Sequence, residues 1–256
     1  MKKLLITICG RAGSKGFKNK NLKTFCEKPL VYYTLSAAEL FCKARPDLQV
    51  DICLNTDSDL LAELVAKKYP EVVFLPRGEA LGGDTVPKMA VFQDCLRRME
   101  EKNACTYDAV MDLDITSPLR TAKDVQNAVE MKERREDLDL VFSVTEARRN
   151  PYFNMVRDCG DHVEKVIESP FTARQQAPAI YDLNASIYVF RRDFLANNHT
   201  GDFGPRALDE TLDRLDASRL AHVGAGHDAA AAWTPAILRR HGLRFGFLAF
   251  NAIGET

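Results

Sequence analysis

The chain has 256 residues, 46% of them hydrophobic, enough for one large α/β domain, or a main domain with a smaller appendage, around a proper core. Its formal net charge of −1 excludes the summed basic field on which nucleic-acid and membrane-surface proteins depend. Seven cysteines without paired spacing suit a reducing compartment and no stretch reaches the length of a bilayer span, so the expected location is the cytoplasm, with no nucleic-acid or membrane partner.

The first apolar run, Leu4-Leu5-Ile6-Thr7-Ile8, is too short for a signal-peptide core and leads straight into a basic loop, so it reads as a buried strand over 3–9. Residues 9–22, CGRAGSKGFKNKNL, set Arg11, Lys15, Lys18 and Lys20 around Gly10, Gly13 and Gly16. Glycine admits positive φ and close backbone approach, and the cations offset the charge of a polyphosphate, so the loop is a candidate grip for a nucleoside triphosphate. Neither common phosphate motif fits. A Walker loop begun at Gly10 needs glycine where Lys15 stands, one begun at Gly13 needs it at Lys18, and no G-x-G-x-x-G exists. The bland alternative is a solvated basic turn between strand and helix.

Up to about residue 145, short β-rich runs alternate with amphipathic stretches of helix length. Strands are predicted at 50–55, 72–75, 109–113 and 140–144; between them Leu30, Tyr33, Ala37 and Phe41 recur at helical spacing, as do Leu60, Leu64 and Ala66, then Met89, Phe92 and Leu96, then Val125 and Val129. The pattern predicts an α/β, Rossmann-like layout with a mainly parallel sheet and helices on both faces. Cys9, Cys53 and Cys95 fall in its apolar runs and read as small core thiols. Ligands in such sheets bind beyond the carboxyl ends of the strands, which singles out the basic loop, Asn55-Thr56-Asp57, residues 77–85 and residues 112–120. Asp112 and Asp114 have period-2 spacing and project from one face of a strand end. Hard carboxylate oxygens there suit Mg²⁺ shared with triphosphate oxygens; Asp114 is the favoured ligand, and the alternative has one Asp as ligand and the other hydrogen-bonded to the following turn. From 150 to 192 the rhythm changes to short, Pro-marked strands at 153–156, 162–167 and 186–190, the pattern of a subdomain or arm. Lys165 is the last lysine, and the run Asp228-Ala229-Ala230-Ala231-Ala232 precedes Trp233, a shift that marks either a helical tail or an altered reading frame.

Arg11, Gly13, Ser14, Lys15, Gly16, Lys20 and Asn21 match R-x-G-S-K-G-x-x-x-K-N, and the loop thereby resembles the N-terminal signature of the acylneuraminate cytidylyltransferases. Three further segments follow in that family's order. Residues 116–120 read T-S-P-L-R, with Leu113-Asp114-Ile115 in place of the usual L-Q-P, which resembles the D-L-D-V-T-S-P-L-R form of relatives acting on legionaminic-type acids. Residues 77–85 resemble R-P-x-x-L-A-x-D-T, with Gly78 and Gly82 departing from it, and residues 174–188 resemble R-Q-x-x-P-x-x-Y-x-x-N-G-x-I-Y, with Ala185 in place of the glycine.

The resemblance implies a GT-A-like nucleotidyltransferase domain over 1–149 and 193–256, with 150–192 as a dimerisation arm of a homodimer. It implies an enzyme that uses CTP and Mg²⁺ to convert a nonulosonic acid, N-acetylneuraminic or legionaminic in type, to its CMP-sugar with release of pyrophosphate. The nucleotide would meet Gly10, Arg11, Gly13, Ser14, Lys15, Lys20, Asn21, Arg77, Gly82 and Asp84. The sugar would meet Asp114, Thr116, Ser117, Arg120, Gln175, Tyr181 and Asn184, with the guanidinium of Arg174 on its carboxylate. Arg11, Lys15, Lys20 and Asp114 would carry the chemistry, and Asp114 with Asp112 the metal. The family's D-I-D-x-x-x-D cluster has no match; Asp209, Asp213 and Asp216 lie at helical spacing and most simply form a solvated helix face. The rival readings are a catalytically impaired nucleotide-binding homologue and a transferase for another sugar acid.

Overall fold

The computed structural model describes residues 1–13, 20–83 and 86–196, together with 212, 213, 217 and the backbone of 236–240 and 243–247. In chain order the strands are β1 (Lys3–Gly10), β2 (Thr24–Phe25), β3 (Lys28–Pro29), β4 (Gln49–Thr56), β5 (Val73–Pro76), β6 (Ala109–Leu113), β7 (Leu140–Glu146), β8 (Val156–Asp158), β9 (Val163–Lys165), β10 (Tyr181–Arg191), β11 (Ala236–Arg240) and β12 (Leu243–Phe247). The α-helices are α1 (Leu30–Ala44), α2 (Asp59–Lys68), α3 (Lys88–Asn103), α4 (Ala122–Arg134) and α5 (Arg192–Ala196). Six strands form the central sheet in the order β5-β4-β1-β6-β10-β7. The pairs β5–β4, β4–β1 and β1–β6 are parallel, whereas β10 runs antiparallel to both β6 and β7.

The apolar run at the N-terminus becomes the sheet's centre because both of its faces are covered. Leu4, Ile6 and Ile8 pack with residues of α1, α2 and α4, while Leu5 packs with residues of α3 and α5. A strand buried on two sides reads as continuous hydrophobicity. Of the predicted helical stripes, the one at Leu60 is displaced by a residue. Leu60 is 65% exposed, and α2 buries Leu61 and Val65 instead, its start fixed by Ser58, whose hydroxyl accepts from the Leu61 N–H.

The arm is shorter than its sequence boundaries. Tyr181–Arg191 is an integral strand of the main sheet, paired on both sides, so the inserted part lies between β7 and β10 rather than over 150–192. Within it, short strands occupy Val156–Asp158 and Val163–Lys165 only. At the other end, residues Met1–Ala196 form one compact unit and Asn197–Thr256 a second, where 193–256 was expected to complete the first domain. In the second unit the described backbone contains an antiparallel hairpin, β11 with β12, in a stretch whose composition allowed a helical tail.

The register of β10 against β7 breaks between Leu183 and Tyr188. Ala185, standing where the resembled motif has glycine, sits in this bulge at φ +54°. A Cβ in the left-handed region costs about 1–2 kcal/mol, so Ala185→Gly is expected to raise the stability of the chain by about 1 kcal/mol once the entropy of the glycine is subtracted. A denaturant midpoint that falls in that variant contradicts the strained assignment.

Candidate functional site

At the carboxyl end of the parallel strands lies a cavity of about 250 Å³, bordered by Cys9, Arg11, Lys20, Asn21, Arg77, Lys88, Asp114 and Thr116. The basic loop leaves β1 through a crowded point. A Cβ on Gly10 would stand 2.8 Å from Ile115 Cδ1, 3.0 Å from Asn21 Nδ2 and 3.1 Å from Leu61 Cδ2, so glycine is needed there for space rather than for positive φ. A Cβ on Gly13 would meet nothing within 4 Å. The loop's stem is tied at two points: Ala12 N–H donates to Asp57 Oδ1 (2.6 Å), and buried Asn21 donates from Nδ2 to the Arg11 carbonyl (3.0 Å). Asn21 therefore closes the loop base, a positioning role beside its expected place against the nucleoside. Ser14, Lys15 and Asp84 lie outside the described residues.

Asp112 in β6 and Asp114 one residue beyond its end stand side by side, as their spacing predicts, with an ammonium between them. Lys88 Nζ is 2.8 Å from Asp114 Oδ2 and 3.8 Å from Asp112 Oδ2. Asp112 is 1% exposed; Thr7 donates to its Oδ1, and its Oδ2 has no hydrogen-bond partner. Burial pushes the Asp112 carboxyl up to about 6, against the pull of Lys88 and with the repulsion of Asp114. Burial also pushes Asp114 up, but the charge and hydrogen bond of Lys88 and the donors of Thr116 outweigh it and hold that carboxyl below its usual range. For Lys88 the two aspartates more than offset burial and raise its pKa.

Asp114 is oriented through its peptide. Its N–H donates to the Ser186 carbonyl (3.2 Å), and its carbonyl accepts from Thr34 Oγ1 (3.2 Å) and from Arg120 Nη2. Arg120 also donates from Nε to Ser186 Oγ (3.2 Å), and burial lowers its pKa to about 10, with Asp112 and Asp114 opposing. Thr116, shared with the first cavity, also borders a second of about 780 Å³, whose lining includes Ser117, Arg120, Asn127, Ser143 and Asn184. The expected sugar residues Thr116, Ser117, Arg120 and Asn184 are thus brought together beside Asp114. Asn184 is held by Ser143, whose hydroxyl donates to its Oδ1 (2.6 Å).

Other predicted residues are placed elsewhere or already engaged. Arg77 lines the first cavity but spends Nε and Nη2 on Asn55, at 2.6 Å to Oδ1 and 3.2 Å to the carbonyl. The Gly82 N–H is spent on the Glu79 carbonyl (3.0 Å), and Leu81 and Gly83, rather than Gly82, border the cavity. Arg174 and Tyr181 line a separate cavity of about 180 Å³ with Asn150 and Pro178, and Gln175 lies beside them on an exposed turn; the chain does not bring these three to its own Asp114. Cys53 and Cys95 are buried core thiols as expected. Cys9 borders the first cavity, and its hydrogen bond to Cys95, together with burial, keeps its thiol pKa high and the group protonated.

A CMP-N,N'-diacetyllegionaminic acid synthase of Campylobacter jejuni subsp. jejuni serotype O:2 is 40% identical over 198 residues, 77% of this chain and 81% of that protein. The chain belongs to the acylneuraminate cytidylyltransferase family. A pseudaminic acid cytidylyltransferase of the same organism matches over more of the length, 30% identical across 235 residues, 87% of this chain and 96% of that one. Among solved structures, CMP:2-keto-3-deoxy-manno-octonic acid synthetase complexed with CTP shares the fold at a TM-score of 0.55 and 17% identity, over 86% of this chain and 87% of that one. A family model described as bacterial capsule synthesis protein PGA_cap matches residues 168–255, less than half of the chain. No described helix is long and apolar enough to cross a membrane.

Lys88 borders the small cavity and pairs with both aspartates, yet no motif in the sequence singles it out. Its place is the mark it carries: it is the first residue of α3, where a cation opposes the helix dipole and no acidic residue stands in the first turn. A charge placed against that field is held there by something else, here the aspartate pair. Because the folded-state value of Asp112, about 6, lies above the unfolded carboxylate value of about 3.9, its contribution to stability is complete below pH about 4 and is lost as pH rises through 6. Lys88→Met is expected to move the Asp112 titration to higher pH by about one pH unit or more, followed by carboxyl ¹³C shifts. An unmoved midpoint removes Lys88 from this account.

Proposed function

We propose that the chain transfers CMP from CTP to the anomeric hydroxyl of a nonulosonic acid, with N,N'-diacetyllegionaminic acid as the favoured substrate. The attacking oxygen bonds to the α-phosphorus, the bond from that phosphorus to the bridging oxygen breaks, and pyrophosphate leaves. The observation that carries this reading is the juxtaposition at Thr116 of a small cavity bearing Arg11, Lys20 and Asp114 with a larger one bearing Arg120 and Asn184. The first suits a triphosphate and the second a polyhydroxylated sugar. Such chemistry asks the protein for in-line positioning and for neutralising charge on the departing group. Arg11 and Lys20, with Lys15 of the same loop, supply the positive charge, and the pinned Asp114 peptide fixes where the two cavities meet. The preference for a legionaminic-type acid rests on Asp114 in place of glutamine and on the 40% identical relative.

The aspartate pair fits a hard divalent cation. Asp112 Oδ2 is a buried acceptor without a hydrogen bond, and an ammonium already occupies the ground between the carboxylates. Mg²⁺ held by Asp114 and Asp112 would neutralise phosphate charge and lower the pKa of the attacking hydroxyl. The exposed apolar residues Val156 and Val163 of the arm, with Tyr181 and Leu183 at the adjoining end of β10, support a homodimer in which Arg174, Gln175 and Tyr181 serve the site of a second copy. The cytoplasm, where CTP is made, is the proposed location.

Pyrophosphate release from CTP with a panel of nonulosonic acids tests the reading. Lys20→Ala should lose at least roughly ten-fold in kcat/KM, and full activity in that variant would falsify the loop assignment. Chelating divalent ions with EDTA should abolish turnover and Mg²⁺ restore it; turnover that persists in EDTA sinks the metal role. The missing D-I-D-x-x-x-D cluster favours a second reading, an impaired homologue, for which CTP would bind without turnover on any sugar of the panel.

A further inference from the structure

The hairpin of β8 and β9 has no core of its own: all six of its strand residues are exposed. An isolated two-stranded hairpin is marginal in water, so within one chain its turn and its polar side chains must hold this one. Its turn is tightly specified. Gly160 takes φ +95°, its N–H donates to Asp158 Oδ1 (2.8 Å), and the Cys159 N–H donates to the His162 carbonyl (2.9 Å). The result folds Cys159 back toward β9, where its Sγ, a ring nitrogen of His162 and a carboxylate oxygen of Glu164 lie within 4.8 Å of one another.

We propose that Cys159, His162 and Glu164 form a Zn²⁺ site that clips the hairpin shut, a role separate from the transferase chemistry. Three features of the donor set argue for it. His162 Nδ1 lies 2.6 Å from Asp161 Oδ1 and Nε2 3.2 Å from Glu164 Oε1, and the two carboxylates raise the pKa of the ring; a metal ion would take the place of the Nε2 proton while Nδ1–H stays on Asp161. A carboxylate behind a histidine in this way is the common outer shell of a zinc-bound imidazole. Zinc bonds of roughly 2.0–2.3 Å put tetrahedral donors about 3.3–3.8 Å apart, so the nitrogen–oxygen pair already has nearly the right separation and the cluster closes with a small contraction. Finally, a thiolate and an imidazole select zinc over magnesium or calcium, leaving the hard aspartate pair at the sheet end to a different ion. Glu164 Oε2 is meanwhile held by Arg157 across the hairpin at 2.8 Å, which leaves Oε1 as the ligand. Water completes the coordination, and binding releases the thiol proton.

The test uses the full chain with millimolar Mg²⁺ present to fill carboxylate sites. Titration with Co²⁺ should give a thiolate-to-metal charge-transfer absorption that saturates at one equivalent and is bleached by Zn²⁺. Cys159→Ser should abolish it, Cys26→Ser, at another exposed thiol, should leave it unchanged, and His162→Ala should weaken binding at least ~10-fold. In parallel, Zn²⁺ should slow amide hydrogen exchange across residues 156–165 in the parent chain and not in Cys159→Ser. Absence of the band, its persistence in Cys159→Ser, or exchange indifferent to Zn²⁺ overturns the proposal.

Discussion

Asp114 is held by its backbone as well as by its carboxylate. Helix α1 reaches it through Thr34, the bulge of β10 through Ser186, and the following turn through Arg120, so three elements distant in sequence converge on one peptide. That fixation sets the origin of the side chain, whose carboxylate accepts from Thr116 at Oδ1 and from Lys88 at Oδ2. It also explains why the two cavities share Thr116: the same residue donates its N–H (2.7 Å) and its hydroxyl to Asp114 Oδ1, so any group seated against Asp114 is placed relative to both spaces at once.

Around that anchor the charges are arranged as a compensated cluster. Two carboxylates this close in a low-dielectric setting repel, and Lys88 and Arg120 supply the countercharge. The division is uneven. Asp114 keeps several donors and stays readily ionised, whereas Asp112, with one hydrogen bond from Thr7 and an Oδ2 that has only the longer ion pair to Lys88, has its pKa pushed up to about 6 by burial. Lys88 is the cation that stands between the two carboxylates, 2.8 Å from Asp114 and 3.8 Å from Asp112.

What was legible in the sequence follows from geometry that repeats locally. The run at residues 4–8 announces a two-sided strand, and the period of two puts Asp112 and Asp114 together. What was hidden depends on partners far along the chain. Arg77 is committed to Asn55, and Asn21 to the loop base, through hydrogen bonds that no spacing rule encodes. Strand β10 escaped its true length because its first four residues are exposed and its middle is bulged, so the alternation that would reveal it is broken where Ala185 turns left-handed. The boundary of the arm was misplaced for the same reason.

The pairing of β7 with β10 carries one more consequence. Tyr181 lies opposite Glu146, and the next rung is made by the Ala147 N–H with the Ile180 carbonyl, so everything between is, topologically, the tip of one long hairpin. Because closing such an excursion costs only about 0.6 kcal/mol more for each doubling of its length, the segment can grow, shrink or be exchanged over evolutionary time with little effect on the sheet beneath it. The length of that excursion can therefore change while the carboxyl ends of β1 and β6, where the small cavity lies, stay as they are.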